Sequence, residues 1–415
     1  MNRHMLRHCA KLSALLVAAT LALTTEARAR SPVTEVTSGL LIPLGITQSN
    51  QGNLIVAETG TFASHTGRIS IVYPRRGIRQ TLLDGLPSGI NDVSEPSGPA
   101  GVFMRGRTLY VAIGIGDGIQ AGPSPGTAVG NPNPSSPIFS SILAIHFSAH
   151  VEKTTTGFTL TTADQQALAS GERVTLSHGG GDRIAIELIA NFPDFTPNPL
   201  PLVPENVRGS NPFDLVAYGA QLYVTDGGQN MVRQVDIRTG AFSVLATFPN
   251  IPNPLFNPTP PPASLGGPFV EAVPTGIRLF KGRLLVTLFR GFPFPAGTSV
   301  VEQVDPLTGQ HAPFITGLKT AIDVLVTREN DHHDRGDDGD RRDDDDRGDH
   351  GAYLVLQHAS GPVLSGPGLL QRFTMDGPPT LVTNSLNRPT SMTLDKKTGT
   401  LYVTEIVDGR VVAIR

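Results

Sequence analysis

The side chains best suited to chemistry are carboxylates at two repeated positions. Glu58, Asp226 and Glu405 each close a short apolar segment: Leu54-Ile-Val-Ala-Glu58, Leu222-Tyr-Val-Thr-Asp226 and Leu401-Tyr-Val-Thr-Glu405. Three sister segments end in Ile113, Leu288 and Gln357. Asp214 and Asp323 fill a second repeated position, where other copies carry Gly45, Gly101 and Gly276, and Asn211 lies close to Asp214 in sequence. Gathered at one opening, these groups form a ring of hard oxygen donors suited to Ca²⁺ or a similar divalent cation. A cation held by Glu58, Asp226 and Glu405 would activate water for hydrolysis of a lactone or ester. Without a cation, crowded carboxylates raise one another's pKa. The alternative is local satisfaction: each acid accepts hydrogen bonds from backbone amides or pairs with an arginine of its own repeat.

The elements that would position these acids recur six times. The strand that ends in Glu58 has equivalents at Leu109-Tyr-Val-Ala-Ile113, Leu222–Asp226, Leu284-Leu-Val-Thr-Leu288, Tyr353-Leu-Val-Leu-Gln357 and Leu401–Glu405. Upstream of each lies a segment such as Pro43-Leu-Gly45-Ile, Pro212-Phe-Asp214-Leu or Pro389-Thr-Ser391-Met. Two further strands complete each unit. Four short strands per repeat of about 50–60 residues describe a β-propeller blade. The chain is therefore expected to be all-β: a single six-bladed propeller over residues 33–415, with four-stranded antiparallel blades. Residues 409–415 form a strand lacking an outer partner, and residues 33–40 form an outer strand lacking a blade. Pairing them closes the ring and removes an exposed edge.

Within a blade, strands a to d run outward from the channel with alternating direction. The d–a and b–c loops share one rim, here the upper one, and the a–b and c–d loops share the lower. Glu58, Asp226, Glu405, Asp214 and Asp323 are then expected at the upper mouth. Long insertions at residues 118–137, 193–211 and 249–273 crowd that same rim. An excursion at residues 148–182 lies below, with a short helix expected from Thr162. Residues 330–350 hold ten Asp and four Arg. Such a segment cannot bury apolar surface and is expected to be disordered. It is not an EF-hand, since Asp337-Asp-Gly-Asp lacks the ligand order and the closing Glu. Its Arg-Gly-Asp triplets follow from its composition.

Other motifs exclude more than they propose. His178-Gly-Gly-Gly-Asp182 is like an esterase oxyanion loop, but the chain has no G-x-S-x-G elbow. There is no H-E-x-x-H, phosphate loop or dinucleotide fingerprint. Phe292, Phe294 and Pro295 form an apolar cluster that could meet a hydrophobic ligand, although loop packing explains such clusters more often.

The first 29 residues have the order of a secretory leader: basic Arg3, Arg7 and Lys11, an apolar run from Leu12 to Leu23, and Ala27-Arg-Ala29 for cleavage. The run is too short to span a bilayer. Its removal would take away Cys9, the only cysteine, and with it disulfides, thiol chemistry and Cys-based metal sites. It would also remove four basic residues against Glu26, leaving an acidic chain with nothing to recruit nucleic acid. The protein is expected to be exported, periplasmic or extracellular, and monomeric.

Several segments together resemble the ScyD/ScyE family of NHL-like propellers: Ser210-Asn-Pro-Phe-Asp-Leu, Leu222 to Asp236, Val273-Pro-Thr-Gly-Ile277, and Gly291-Phe-Pro-Phe-Pro-Ala-Gly297 with Val301-Glu-Gln-Val-Asp305. The likeness spans about residues 36–415. It implies an exported six-bladed propeller and no particular reaction. The chain departs from the family in its Asp-rich loop and in Asp214, where Gly is usual. It is more remotely similar to gluconolactonase and senescence-marker propellers, which hold a divalent cation with Glu, Asn and Asp. Glu58, Asn211 and Asp226 map only loosely onto that pattern. The sequence thus favours a binding or scaffold propeller that meets a small molecule, peptide or glycan at its upper rim. The alternative is the metal-dependent hydrolase.

Overall fold

A computed structural model describes residues 31–178, 181–259, 264–328, 351–375 and 377–415. The leader and the Asp-rich segment lie outside these residues. Six antiparallel sheets surround a channel, and each has the four strands expected. Blade one runs Pro43–Gln48, Leu54–Glu58, Gly67–Tyr73 and Ile78–Leu86 as strands a to d. Blade six is Pro389–Asp395, Thr400–Glu405, Arg410–Ile414 and, from the other end of the chain, Val33–Thr37. That last strand pairs antiparallel with Arg410–Ile414, with Val33 opposite Ile414. The ring closes as the end strands required.

Strand b is almost wholly buried in every blade, whereas strand d is half-exposed. The reason lies in the pleat. Successive side chains of strand b face opposite neighbouring blades, so the segment must be apolar throughout. Ile55 and Ala57 join the core shared with blade two, while Leu54 and Val56 join the core shared with blade six. Six such cores, one per blade pair, carry the packing.

The threonines of the Leu-x-Val-Thr segments tie the blades together near the channel. Thr225 Oγ1 donates to the Thr275 carbonyl of the next blade at 2.5 Å, and Thr287 Oγ1 does the same to the Ile322 carbonyl at 3.2 Å. Thr404 Oγ1 donates to the Leu44 carbonyl at 3.2 Å across the closure. Every strand a is also irregular. Its register with strand b slips just after its first residue. In four blades the residue before strand a adopts a left-handed backbone: Ile42, Val273, Thr320 and Arg388, with φ from 48° to 54°. Three of these are β-branched, so the surrounding ring must enforce the conformation.

The insertions are built parts. On the upper rim, Ile119–Ala121 pairs with Ala128–Gly130, Phe195–Pro197 with Val207–Gly209, and Ile251–Pro252 with Phe269–Val270. Ile115, Ile119 and Ala128 pack together against Val207. Below, the excursion folds back on blades one and two. Phe158–Thr159 extends blade one in parallel beside Ile78–Leu86, and Val174–Ser177 adds an outer strand to blade two. Its helix spans Thr162–Ala169, as expected, and is capped by Thr161 in a reciprocal box with Asp164. His178 stacks on Phe158 with ring centroids 4.4 Å apart and bonds the Gly157 carbonyl, so its contacts are those of packing.

Candidate functional site

Glu58, Asp226 and Glu405 are fully buried, and each is held within its own surroundings. Glu58 accepts from the Leu41 amide at 2.5 Å, from Arg68 Nε at 3.0 Å and from the Ser70 hydroxyl. Asp226 accepts from the Asn211 and Gln229 amides at 2.8 and 3.0 Å, from Ser210 Oγ at 2.7 Å and from Arg233 Nη2 at 2.9 Å. Arg233 in turn lies 4.8 Å from the centroid of the Phe192 ring. Glu405 accepts from the Asn387 amide at 2.7 Å and Arg410 Nε at 2.5 Å. Among the described residues, no three His, Cys, Asp or Glu side chains come together in a way that could hold a metal ion. Glu58, Asp226 and Glu405 therefore do not assemble as the expected Ca²⁺-type ligand set. Local satisfaction is what the structure shows, and the reason is specific. Each acid-ending strand b faces a strand c that carries an arginine among its first three residues: Arg68, Arg233 and Arg410. Asn211 serves the same arrangement. Its amide meets Asp226, and its side-chain oxygen accepts from the Ile115 amide at 3.2 Å.

Asp214 and Asp323 do come together, through a cation. Arg278, from strand a of blade four, bonds Asp214 Oδ2 at 2.5 Å and Asp323 Oδ2 at 2.8 Å. Asp214 also accepts from the Ile277 amide at 3.1 Å. Asp323 accepts from Ser391 Oγ at 3.0 Å and the Met392 amide at 2.9 Å. The trio thus spans blades three to six at the channel neck. Gly45, Gly101, Gly276 and Ser391 complete that neck, which encloses about 10 Å³, room for about one water. A Cβ on Gly101 would stand 2.5 Å from Asp214 Cα, and one on Gly276 would stand 2.8 Å from Asp323 Cα. Each aspartate therefore needs a glycine on the preceding blade. Burial pushes the Asp323 carboxyl up to about 6; Arg278 opposes this and Asp214 adds to it. Burial works against the charge on Arg278, but Asp323 and Asp214 outweigh it and hold the guanidinium above its ordinary value.

Below the neck the channel opens into a cavity of about 1560 Å³. Its wall is made of the ends of strands a, the a–b turns of blades one and six, and the c–d turn of blade one. Arg75, Arg76, Lys153, Lys396, Lys397 and Arg415 line it, against two carboxylates, Glu152 and Asp395. Glu152 is occupied by Ser49 Oγ at 2.5 Å and Asn53 Nδ2 at 3.0 Å. Asp395 caps its own turn through the Lys397 amide at 2.9 Å. None of the six cations is in an ion pair among the described residues. The sequence placed binding at the upper rim. The large cavity lies at the opposite mouth, and four of its cations, Arg75-Arg76 and Lys396-Lys397, are paired basic residues in tight turns, a pattern that reads in sequence as solvated turn tips.

Among the described residues, no helix is long and apolar enough to cross a membrane. No protein-family model and no curated protein matches the chain. Solved structures do match. Virginiamycin B lyase from Staphylococcus aureus is 11% identical, covering 92% of this chain and 97% of that one, at a TM-score of 0.43. An auxiliary nutrient binding protein from Bacteroides thetaiotaomicron is 9% identical over 92% and 76% of the two chains, at 0.46. A protein of unknown function from the same organism is 11% identical over 92% and 75%, at 0.43.

Proposed function

We propose that this chain is an exported binding propeller that takes an acidic ligand, a small molecule, peptide or glycan, into its lower mouth. The observation that carries this is the cavity of about 1560 Å³ lined by Arg75, Arg76, Lys153, Lys396, Lys397 and Arg415. Cations focused in a concave, partly low-dielectric space attract anions more strongly than the same charges on a convex surface. Arg278 sits at the base of that space but is neutralised by its two aspartates, so recognition falls to the rim. Export rests on the leader-like first 29 residues, and kinship with the ScyD/ScyE propellers rests on the Gly291–Gly297 and Val301–Asp305 segments.

The test compares an acidic oligosaccharide, an oligogalacturonate of defined length, with a neutral oligosaccharide of equal length by isothermal titration calorimetry. The acidic probe should bind, and its affinity should fall as salt rises, because rim charges are screened. Replacing Arg75, Arg76, Lys396 and Lys397 together by Gln should abolish that preference. Equal binding of the neutral probe, or an unaltered preference in the fourfold variant, would refute the proposal.

A further inference from the structure

A second group of cations stands at the upper mouth, between blades four, five and six. Lys319 and Thr320 form the turn entering blade five, Arg388 precedes strand a of blade six, and His358 follows strand b of blade five. Hydrogen bonds knit these turns together. The His358 amide donates to the Thr320 carbonyl at 3.0 Å, and the Lys319 amide donates to Gln357 Oε1 at 2.7 Å. His358 Nδ1 donates to the Pro389 carbonyl, next to Arg388, at 3.0 Å. Lys319 is 8% exposed, and its ammonium meets one acceptor, the Gly361 carbonyl. Arg388 makes no side-chain hydrogen bond or ion pair among the described residues, and its Nη1 is buried without a partner. A buried guanidinium nitrogen with no acceptor is costly and calls for one. No carboxylate pairs with Lys319 or Arg388 among the described residues.

We infer that Arg388 and Lys319, with His358 beside them, form a seat for an oxyanion at the upper mouth: a phosphate, sulfate or carboxylate group of a ligand distinct from the one below. Two cations held close without a counter-ion lose stability in the empty protein and regain it when an anion arrives. Arg388 holds a left-handed backbone, φ 52°, in the turn that leads into strand a of blade six. Burial lowers the Lys319 ammonium and Arg388 lowers it further. Burial, with Arg388 adding to it, pushes His358 down to about 4 against the pull of the Pro389 carbonyl. Besides Arg388 and Lys319, the elements packed around His358 carry Asp323, Arg372 and Asp395 on the neighbouring strands, and Arg290, one residue beyond the Phe289 ring that contacts His358; Arg290 in turn feels Glu302.

The test is calorimetric titration of the purified protein with inorganic phosphate, sulfate and acetate at constant ionic strength. At least one should bind saturably. Arg388→Gln and Lys319→Gln should each weaken it by about tenfold or more, the usual effect of losing a charge-assisted bond. Lys396→Gln with Lys397→Gln should leave it unchanged, which separates this site from the lower cavity. Arg388→Lys should keep part of the affinity and guards against a folding defect. In parallel, saturating sulfate should raise the NMR titration midpoint of His358 by about one pH unit or more. Phosphate or sulfate binding without acetate would assign a tetrahedral ester, and acetate alone a carboxylate. Absence of saturable binding, equal binding by Arg388→Gln, or an unmoved His358 with anion bound would each overturn the site.

Discussion

The two mouths of the channel are built on opposite principles. The upper rim carries three of the long insertions, and each contains a short hairpin. Its loops leave Phe62, Val93, Leu202, Phe269, Phe292 and Val407 exposed. Glu58, Asp226 and Glu405 there are buried and paired with arginines of their own blades. The lower mouth is framed mostly by hairpin turns, with Glu152 and Lys153 added by the 148–182 excursion, and it holds the large cavity and six cations with no ion-pair partner among the described residues. Loop length therefore does not mark the recessed site in this ring. A loop long enough to fold on itself can fill a mouth as easily as frame one, whereas tight turns leave the funnel between six splayed blades open.

The neck between these mouths should give the largest response to mutation. Arg278→Met leaves Asp214 and Asp323 facing each other without their cation. Breaking a buried pair by removing one partner costs about 3–5 kcal/mol, to be read from the urea midpoint at pH 7. Adding Asp214→Asn and Asp323→Asn to that variant should recover most of the loss, because no uncompensated charge then remains. A single variant as stable as wild type would mean that the neck is wetter than its enclosed volume of about 10 Å³ allows.

Gly276→Ala should come next, at about 1–3 kcal/mol, the usual cost of overpacking. The added methyl would meet Asp323 Cα and Oδ1 at 2.8 Å. The same change at Gly106, where a Cβ meets nothing within 4 Å, tests backbone strain alone, since its φ is 62°. The contrast between the two separates crowding at the neck from the general price of a left-handed residue.

Much of this was legible in the chain. Five Leu-x-Val segments and a sixth, Tyr353-Leu-Val, announced strand b, because only a strand packed on both faces is apolar almost throughout. Residues 33–37 and 410–414 announced the closure, because each lacked a partner. The pairing of Glu58, Asp226 and Glu405 was legible too, in Arg68, Arg233 and Arg410 at the head of the following strand, although the acids alone pointed toward a cation. Arg278 was not legible. It lies 64 residues from Asp214 and 45 from Asp323, and only the closed ring brings strands a of blades three, four and five within reach of one guanidinium. Lys319 and Arg388 likewise sit in unrelated turns, and nothing local to either signals the other.

The titrations of the neck and of the upper mouth should pull stability in opposite directions as pH changes. Asp323 titrates near 6 in the folded chain, against about 3.9 when unfolded. The folded state binds the extra proton, so this group's contribution is present at low pH and is lost as pH rises from about 4 to about 6. His358 titrates near 4, against about 6.5 unfolded. There the unfolded state binds the proton, so its contribution is present above about 6.5 and is lost as pH falls toward 4. Each effect is bounded at about 1.4 kcal/mol per pH unit. Denaturant midpoints taken between pH 4 and 6.5 should therefore rise more steeply with pH in Asp323→Asn than in wild type. They should rise less, or fall, in His358→Gln. Parallel curves for all three proteins would show that neither the neck nor the upper mouth couples its protons to folding.

The smallest effect on stability is expected where the effect on binding should be largest. Lys396 and Lys397 occupy the exposed a–b turn of blade six, and neither side chain is in an ion pair among the described residues. Surface replacements of this kind change stability by about 0.5 kcal/mol or less, so Lys396→Gln with Lys397→Gln should melt like wild type. Removing two like charges from a crowded rim even relieves repulsion, and a slight gain at low salt is the expected sign. The same variant should weaken binding of the oligogalacturonate probe and flatten its salt dependence. A neck variant such as Gly276→Ala should do the reverse, losing stability while keeping the rim's preference for acidic probes. If the lysine variant instead lost stability and kept its binding, the lower mouth would be a structural seam, and the search for a ligand would return to the upper face.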